Sequence, residues 1–191
     1  EERKEAVSVH DAPTVLRFSK GNVGATIKAI RRTADGVDVL SEASSKDVLI
    51  LCVGSMATVG LNVAELLAAQ GIGATVIDPR WVVPVSKSVI EMSAQHRLVV
   101  TIEDGIKVGG IGTRVRQDMR AAQVDTALTE VGLPDEFLEH ASRGEIMERV
   151  GLTSQAIARD IVAQVVGSRV PHAKPIAEMG DSKSQQAPAA Q

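Results

Sequence analysis

Three short apolar runs, at residues 48–53, 74–77 and 98–102, set the rhythm of this chain. Each is rich in aliphatic residues, ends near a Gly or Pro, and leads into a segment with apolar positions at helical spacing. Unbroken apolar runs of this length suit strands buried on both faces, and their alternation with helices predicts parallel strands joined by crossovers in an open α/β sheet. Between the first two runs, Val59, Val63, Leu66 and Leu67 share one face of a helix over residues 56–70, which Gly71 stops. Ser86 opens a second helix as its N-cap, carried by Val89, Ile90 and Met92. A third helix is expected over residues 110–122, with Arg114, Arg116 and Arg120 on its exposed face. A fourth strand follows at 126–131, then helices at 141–150 and 153–166, the last capped by Thr153.

The flanks are less regular. Residues 1–9 read as the end of a helix, with Ala6, Val7 and Val9 as its apolar positions, cut from a larger protein. Residues 10–13 read as a turn, and TVLRF at 14–18 as a short strand that sets Arg17 between apolar neighbours. SKGNVG then breaks regular structure, residues 25–34 connect, and 37–40 form a short strand. Beyond Gly167 the chain lacks periodicity and apolar content and is expected to be disordered. The expected division is 1–24 as the end of a preceding domain, 25–46 as a linker with a short edge strand, 47–167 as the main domain and 168–191 as a tail.

Composition narrows the function classes. With 191 residues and 44% apolar content the chain can bury a core without disulfides or metal, and that core is aliphatic, because aromatics make up 2%. No aromatic platform for stacking bases is present, and a net charge of −3 with no basic block argues against nucleic acid. The single Cys52 lies within a strand pattern, reads as a buried inert thiol and suits a reducing compartment. No apolar run approaches the ~20 residues of a membrane span, and EERKEAVSV lacks the order of a signal peptide, so a cytoplasmic location is expected.

Several residues carry candidate chemistry. Gly109-Gly110-Ile111-Gly112 opens a helix after a strand, where backbone N–H groups can receive a phosphate; it is not GxGxxG, and close helix-to-strand packing is the alternative. Glu103 and Asp104 lie at a strand's carboxyl end, where acid–base groups collect, or else cap a loop or pair across an interface. Asp78 and Arg80 flank Pro79 at another strand end and read as an ion pair fixing a turn; Trp81 beside them suits a subunit contact or the core equally. His10, His96, His140 and His172 show no metal spacing, and no GxSxG elbow occurs. Arg17 and Lys20, in RFSKGN, offer two cations beside a glycine that suit a phosphate monoester, or else a solvated strand end.

RFSKGN, DPRWVVPV, EDG with GGIG, and LPDEFLEHASRGEIMERVGLTSQAIARDI, in that order, closely resemble the 1-deoxy-D-xylulose-5-phosphate synthase family in its actinobacterial form, over roughly residues 5–166. Singly, the D-x-R and GG-x-G elements are shared across the transketolase C-terminal fold, including transketolase and the beta chains of 2-oxo acid dehydrogenases. The resemblance implies a three-layer α/β/α domain with a mixed, mainly parallel sheet of about five strands, the strand near Val37 antiparallel. It also implies a parent transferase that joins pyruvate to glyceraldehyde 3-phosphate with loss of carbon dioxide, using thiamine diphosphate and magnesium. Residues 1–24 would then end its pyrimidine-binding domain.

Matching RFSKGN to the family's R-Y/F-P-K/R-G segment places Arg17 at the acceptor's phosphate and Lys20 at the neighbouring basic position; Ser19 stands where proline is usual, which loosens the turn. The family's GDG motif and ring-activating glutamate are missing. The chain is therefore expected to hold no catalytic, cofactor or metal residues, to be inactive alone, and to support the missing N-terminal domains and a homodimer in the parent. Alternatives are a 2-oxo acid dehydrogenase beta chain or transketolase C-terminal domain, a non-catalytic truncated paralogue acting as an interaction module, and a nucleotide-binding regulator.

Overall fold

The apolar runs form the centre of a six-stranded sheet in the computed structural model, which describes residues 2–17 and 25–167. The strands are β1 (Arg31–Arg32), β2 (Asp38–Glu42), β3 (Val48–Cys52), β4 (Ala74–Asp78), β5 (Leu98–Ile106) and β6 (Ala127–Leu133), in the spatial order β1-β2-β4-β3-β5-β6. β3 pairs in parallel with β4 and β5, and β5 with β6, while the β1–β2 hairpin joins β4 antiparallel. The sheet is thus mixed and mainly parallel as expected, with six strands where about five were expected and the two-residue β1 at the edge.

Helices α2 (Ala57–Ala68), α3 (Lys87–Gln95), α4 (Ile111–Ala121), α5 (Arg143–Arg149) and α6 (Ser154–Gly167) follow α1 (Glu2–Ser8). All five residues of β3 are buried, and their alternation divides the core. Val48, Ile50 and Cys52 face a cluster with Val63 and Leu67 of α2 and Ile157 and Ile161 of α6. Leu49 and Leu51 face the other cluster, with Val89 and Met92 of α3 and Val115 and Met119 of α4. Full burial of each Leu, Ile or Val contributes about 1.5–3 kcal/mol, so the three layers are held by both faces of the sheet.

The ends of elements differ from their sequence expectations for definite reasons. Residues 14–17 form no strand, because a strand needs a neighbour for its ladder and none of the described residues pairs with it; Val15 is 90% exposed. Phe18 lies outside the described residues. Ser86 holds the N-cap position of α3 but makes no capping bond with its side chain. Asp35, in the β1–β2 turn, does that work: its carboxylate accepts from the Ser88 N–H at 2.9 Å. Ser142 caps α5 reciprocally with Glu145, whose carboxylate accepts from the Ser142 N–H at 2.9 Å.

The crossover from β3 through α2 leads to β4 on one side, and that from β5 through α4 leads to β6 on the other. The carboxyl ends of β3 and β5 therefore flank a topological switch point, where open α/β sheets form their crevice.

Candidate functional site

A cavity of about 510 Å³ opens at that switch point. Val53, Gly54 and Ser55 leave β3 into it; Asp78 and Arg80 reach it from the end of β4, and Glu103 and Asp104 from β5. Gly109 and Gly110, which lead into α4, close one side, and Val15, Leu16 and Arg17 of the N-terminal segment line another. The strand-end positions that the sequence singled out thus converge on one crevice with Arg17, which is 87 residues from Asp104.

Arg17 is exposed and donates from Nη2 to the Asp104 carbonyl at 3.1 Å. Its charge also reaches Glu103. Lys20 and Ser19 lie outside the described residues. Asp104 is anchored in turn by Arg143, whose Nη1 donates to Oδ2 at 2.5 Å. The Arg143 of the SRGE stretch, at the start of α5, thereby reaches the rim of the cavity.

Glu103 accounts for the glycine motif. Its half-buried carboxylate accepts from the N–H groups of Ile111 and Gly112 at the start of α4. A Cβ at Gly110 would lie 2.2 Å from Glu103 Oε1, and one at Gly112 would lie 2.4 Å from Thr101 Oγ1. The glycines admit an internal carboxylate, which takes the helix N-terminus where a phosphate was one reading. Burial raises the Glu103 carboxyl above its ordinary pKa, the two N–H groups pull it back, and the charge of Glu130 pushes it up again.

The Asp78–Arg80 turn differs from a simple ion pair. The Arg80 backbone N–H donates to Asp78 Oδ1 at 2.9 Å, and φ is +57, a left-handed conformation that non-glycine residues seldom adopt. The guanidinium meets the carboxylates of Glu5, on α1, and Asp38, on β2. Trp81 is half-buried and donates to Glu5 as well. Sequence reasoning placed Arg80 at a strand end but gave it only a turn-fixing role. The cavity's third cation, Arg114, pairs with Asp118 at 3.3 Å.

Other candidates sit elsewhere. His96 is buried against the Met92 carbonyl (2.7 Å) and the Thr75 hydroxyl (3.0 Å), and burial lowers its pKa. His10 and His140 are exposed, and His172 lies outside the described residues. Cys52 is fully buried, and burial pushes its thiol far up, which keeps it from acting as a nucleophile. Among the described residues no group of three or more His, Cys, Asp or Glu is placed to hold a metal ion, and no helix is long and apolar enough to cross a membrane.

Comparison with known proteins follows the same lines. The family model described as "Transketolase, C-terminal domain" matches residues 37–157. The 1-deoxy-D-xylulose-5-phosphate synthase of Clavibacter sepedonicus is 70% identical over 178 residues, covering 93% of this chain and 27% of that protein. The synthase of the same name from Leifsonia xyli subsp. xyli is 68% identical over 176 residues, covering 92% and 27%. Among solved structures, a split-gene transketolase described as an inactive beta4 tetramer matches with a TM-score of 0.64 and 26% identity, over 74% of this chain and 46% of that one. A Pichia stipitis transketolase mutant, R525L, matches with a TM-score of 0.52 at 15% identity, over 70% of this chain and 18% of that one, and shows the fold alone. This chain spans 27% of the length of the first two synthases.

Proposed function

The chain belongs to the transketolase C-terminal domain family, and from that premise we propose that it is the C-terminal part of a thiamine-diphosphate-dependent 1-deoxy-D-xylulose-5-phosphate synthase. The observation that carries this reading is the 70% identity to a protein of that name across 93% of the chain. The parent joins pyruvate to glyceraldehyde 3-phosphate with release of carbon dioxide, a step toward isoprenoid, thiamine and pyridoxal precursors. It works in the cytoplasm as a homodimer.

The described residues do not fit the cofactor. They lack a metal-holding cluster, and the helix N-terminus at the cavity is already filled by Glu103. Thiamine diphosphate and magnesium belong to the N-terminal domains of the parent, and no step here runs through them.

This chain contributes a wall and an anion contact. Arg17 and Arg80 both line the switch-point cavity, and guanidinium groups offer paired donors suited to a phosphate monoester. The phosphate of the acceptor aldehyde is bound there; the family resemblance implies Lys20, outside the described residues, as a further cation. Arg143 and Asp104 hold the cavity rim on which Arg17 rests.

The 191-residue chain, supplied with thiamine diphosphate, magnesium, pyruvate and glyceraldehyde 3-phosphate, is expected to release no carbon dioxide, whereas the parent enzyme is expected to form the pentulose phosphate. The inactive assembly reported for the split-gene transketolase supports that expectation. Product from the chain alone, or none from the parent, contradicts the reading.

A further inference from the structure

Arg80 is the most enclosed cation of the cavity, with a side chain 6% exposed. Its Nη2 donates to the Glu5 carboxylate, and its Nε lies 3.7 Å from Asp38 Oδ2. Asp38 is also gripped by Arg32, from Nε at 2.6 Å and Nη2 at 2.9 Å. With Asp78, which accepts from the Arg80 N–H at 2.9 Å, three carboxylates surround these two guanidinium groups, so the cluster carries no net positive charge. A cluster without net positive charge has little attraction for a phosphate dianion, and with Nη2 on Glu5 and Nε facing Asp38, a phosphoryl group that pairs with that edge of the guanidinium must displace one of the two.

The two carboxylates are not equally replaceable. Asp38 sits in β2, paired opposite Asp78 of β4, and its other guanidinium partner stays in place. Glu5 is 37% exposed in its side chain and rides on the seven-residue α1, which precedes the sheet. Its carboxylate is held by hydrogen bonds from Arg80 and Trp81 and by the charge of Arg32. The segment that carries Glu5 continues to Arg17, so residues 5–17 reach from the β4 side of the cavity to the β5 side.

We infer that Glu5 is an internal stand-in for the acceptor's phosphate: it neutralises Arg80 while the cavity is empty and is displaced when a phosphoryl group enters. The inference rests on the reading of Arg17 and Arg80 as the phosphate contacts. Glu5 thereby sets specificity. A phosphorylated acceptor brings the charge needed to replace it, and an uncharged aldehyde does not. The exchange weakens phosphate binding by the strength of the pair it breaks, and it frees α1 from Arg80.

The test is a titration of the 191-residue chain with inorganic phosphate, followed by NMR at the side-chain Nε–H groups of Arg80 and Arg17, for the unaltered chain, Glu5→Gln, Glu5→Ala and, as a remote acidic control, Glu91→Gln. Both Glu5 variants are expected to bind phosphate at Arg80 about fivefold or more tightly than the unaltered chain, with Glu91→Gln unchanged. In the unaltered chain the Arg80 signal is expected to change partner as phosphate is added. If the unaltered chain binds phosphate at Arg80 and neither Glu5 variant binds it more tightly, the stand-in role is wrong and the phosphate contacts stand. If no variant shows phosphate at either arginine, the phosphate reading fails and takes the stand-in role with it.

Discussion

Gly60 of α2 lies against Cys52 of β3, so close that a Cβ on the glycine would be 2.0 Å from Sγ. Gly60→Ala forces a shift in a packed core and is expected to cost about 1–3 kcal/mol in urea unfolding. In a Cys52→Ala background, which removes the sulfur, the same change is expected to cost markedly less. Equal costs in both backgrounds would place the strain elsewhere. His96 carries a pH signature. Burial lowers its pKa, so the folded chain favours the neutral ring, and the stability it contributes is present above about 6.5, the value of an unfolded histidine. That contribution is lost as pH falls below this value toward the lower folded one. Urea midpoints are expected to drop between pH 7.5 and 5.5, and to drop less in His96→Gln, whose amide can keep a bond to Thr75. A drop of the same size in both proteins would clear His96 of this role. Neither effect was legible in the sequence, where Gly60 is one glycine in a helical pattern and His96 one of four scattered histidines.

Helix α3 begins on a residue from another element. Burial pulls the Asp35 pKa upward, but hydrogen bonds from Ser88 and Thr33 outweigh it and hold the carboxyl at about 2. The folded value is depressed, so the stabilisation is present above the unfolded value of about 3.9 and is lost as pH falls toward 2. Asp35→Ala is expected to lower stability by about 1 kcal/mol at pH 7, as loss of an N-cap does, and to matter little at pH 2. A thermal melt of each protein at both pH values checks this. The buried strands and α2 were legible because long aliphatic runs and 3.6-residue spacing are local signals. The cap was not, because Asp35 is 53 residues from Ser88 and sequence spacing does not carry such a contact. The stretch 14–17 misled for the opposite reason: it has a strand's local pattern, and among the described residues no strand lies beside it. The glycine motif showed where close approach was needed but not that Glu103, from the strand before it, would fill the space.

At the scale of the molecule, the order β1-β2-β4-β3-β5-β6 places the crevice between β3 and β5, and the N-terminal segment brings Arg17 to it from outside the sheet. Alternating strands and helices made the α/β class legible, and the strand-end residues marked where the crevice lies. What brings them together is the crossover that splits the chain to either side of β3 and β5, which no local pattern encodes. Under the proposed function, this chain supplies the scaffold and the acceptor-phosphate contact of a synthase whose cofactor is held by other domains. The most direct test is the kcat/KM of the parent enzyme with glyceraldehyde 3-phosphate and with unphosphorylated glyceraldehyde, before and after Arg17→Met. Loss of a charge-assisted hydrogen bond of about 1.5–3 kcal/mol predicts a fall of roughly 10- to 100-fold for the phosphorylated acceptor and almost none for glyceraldehyde. An equal fall for both acceptors, or no fall for either, contradicts it.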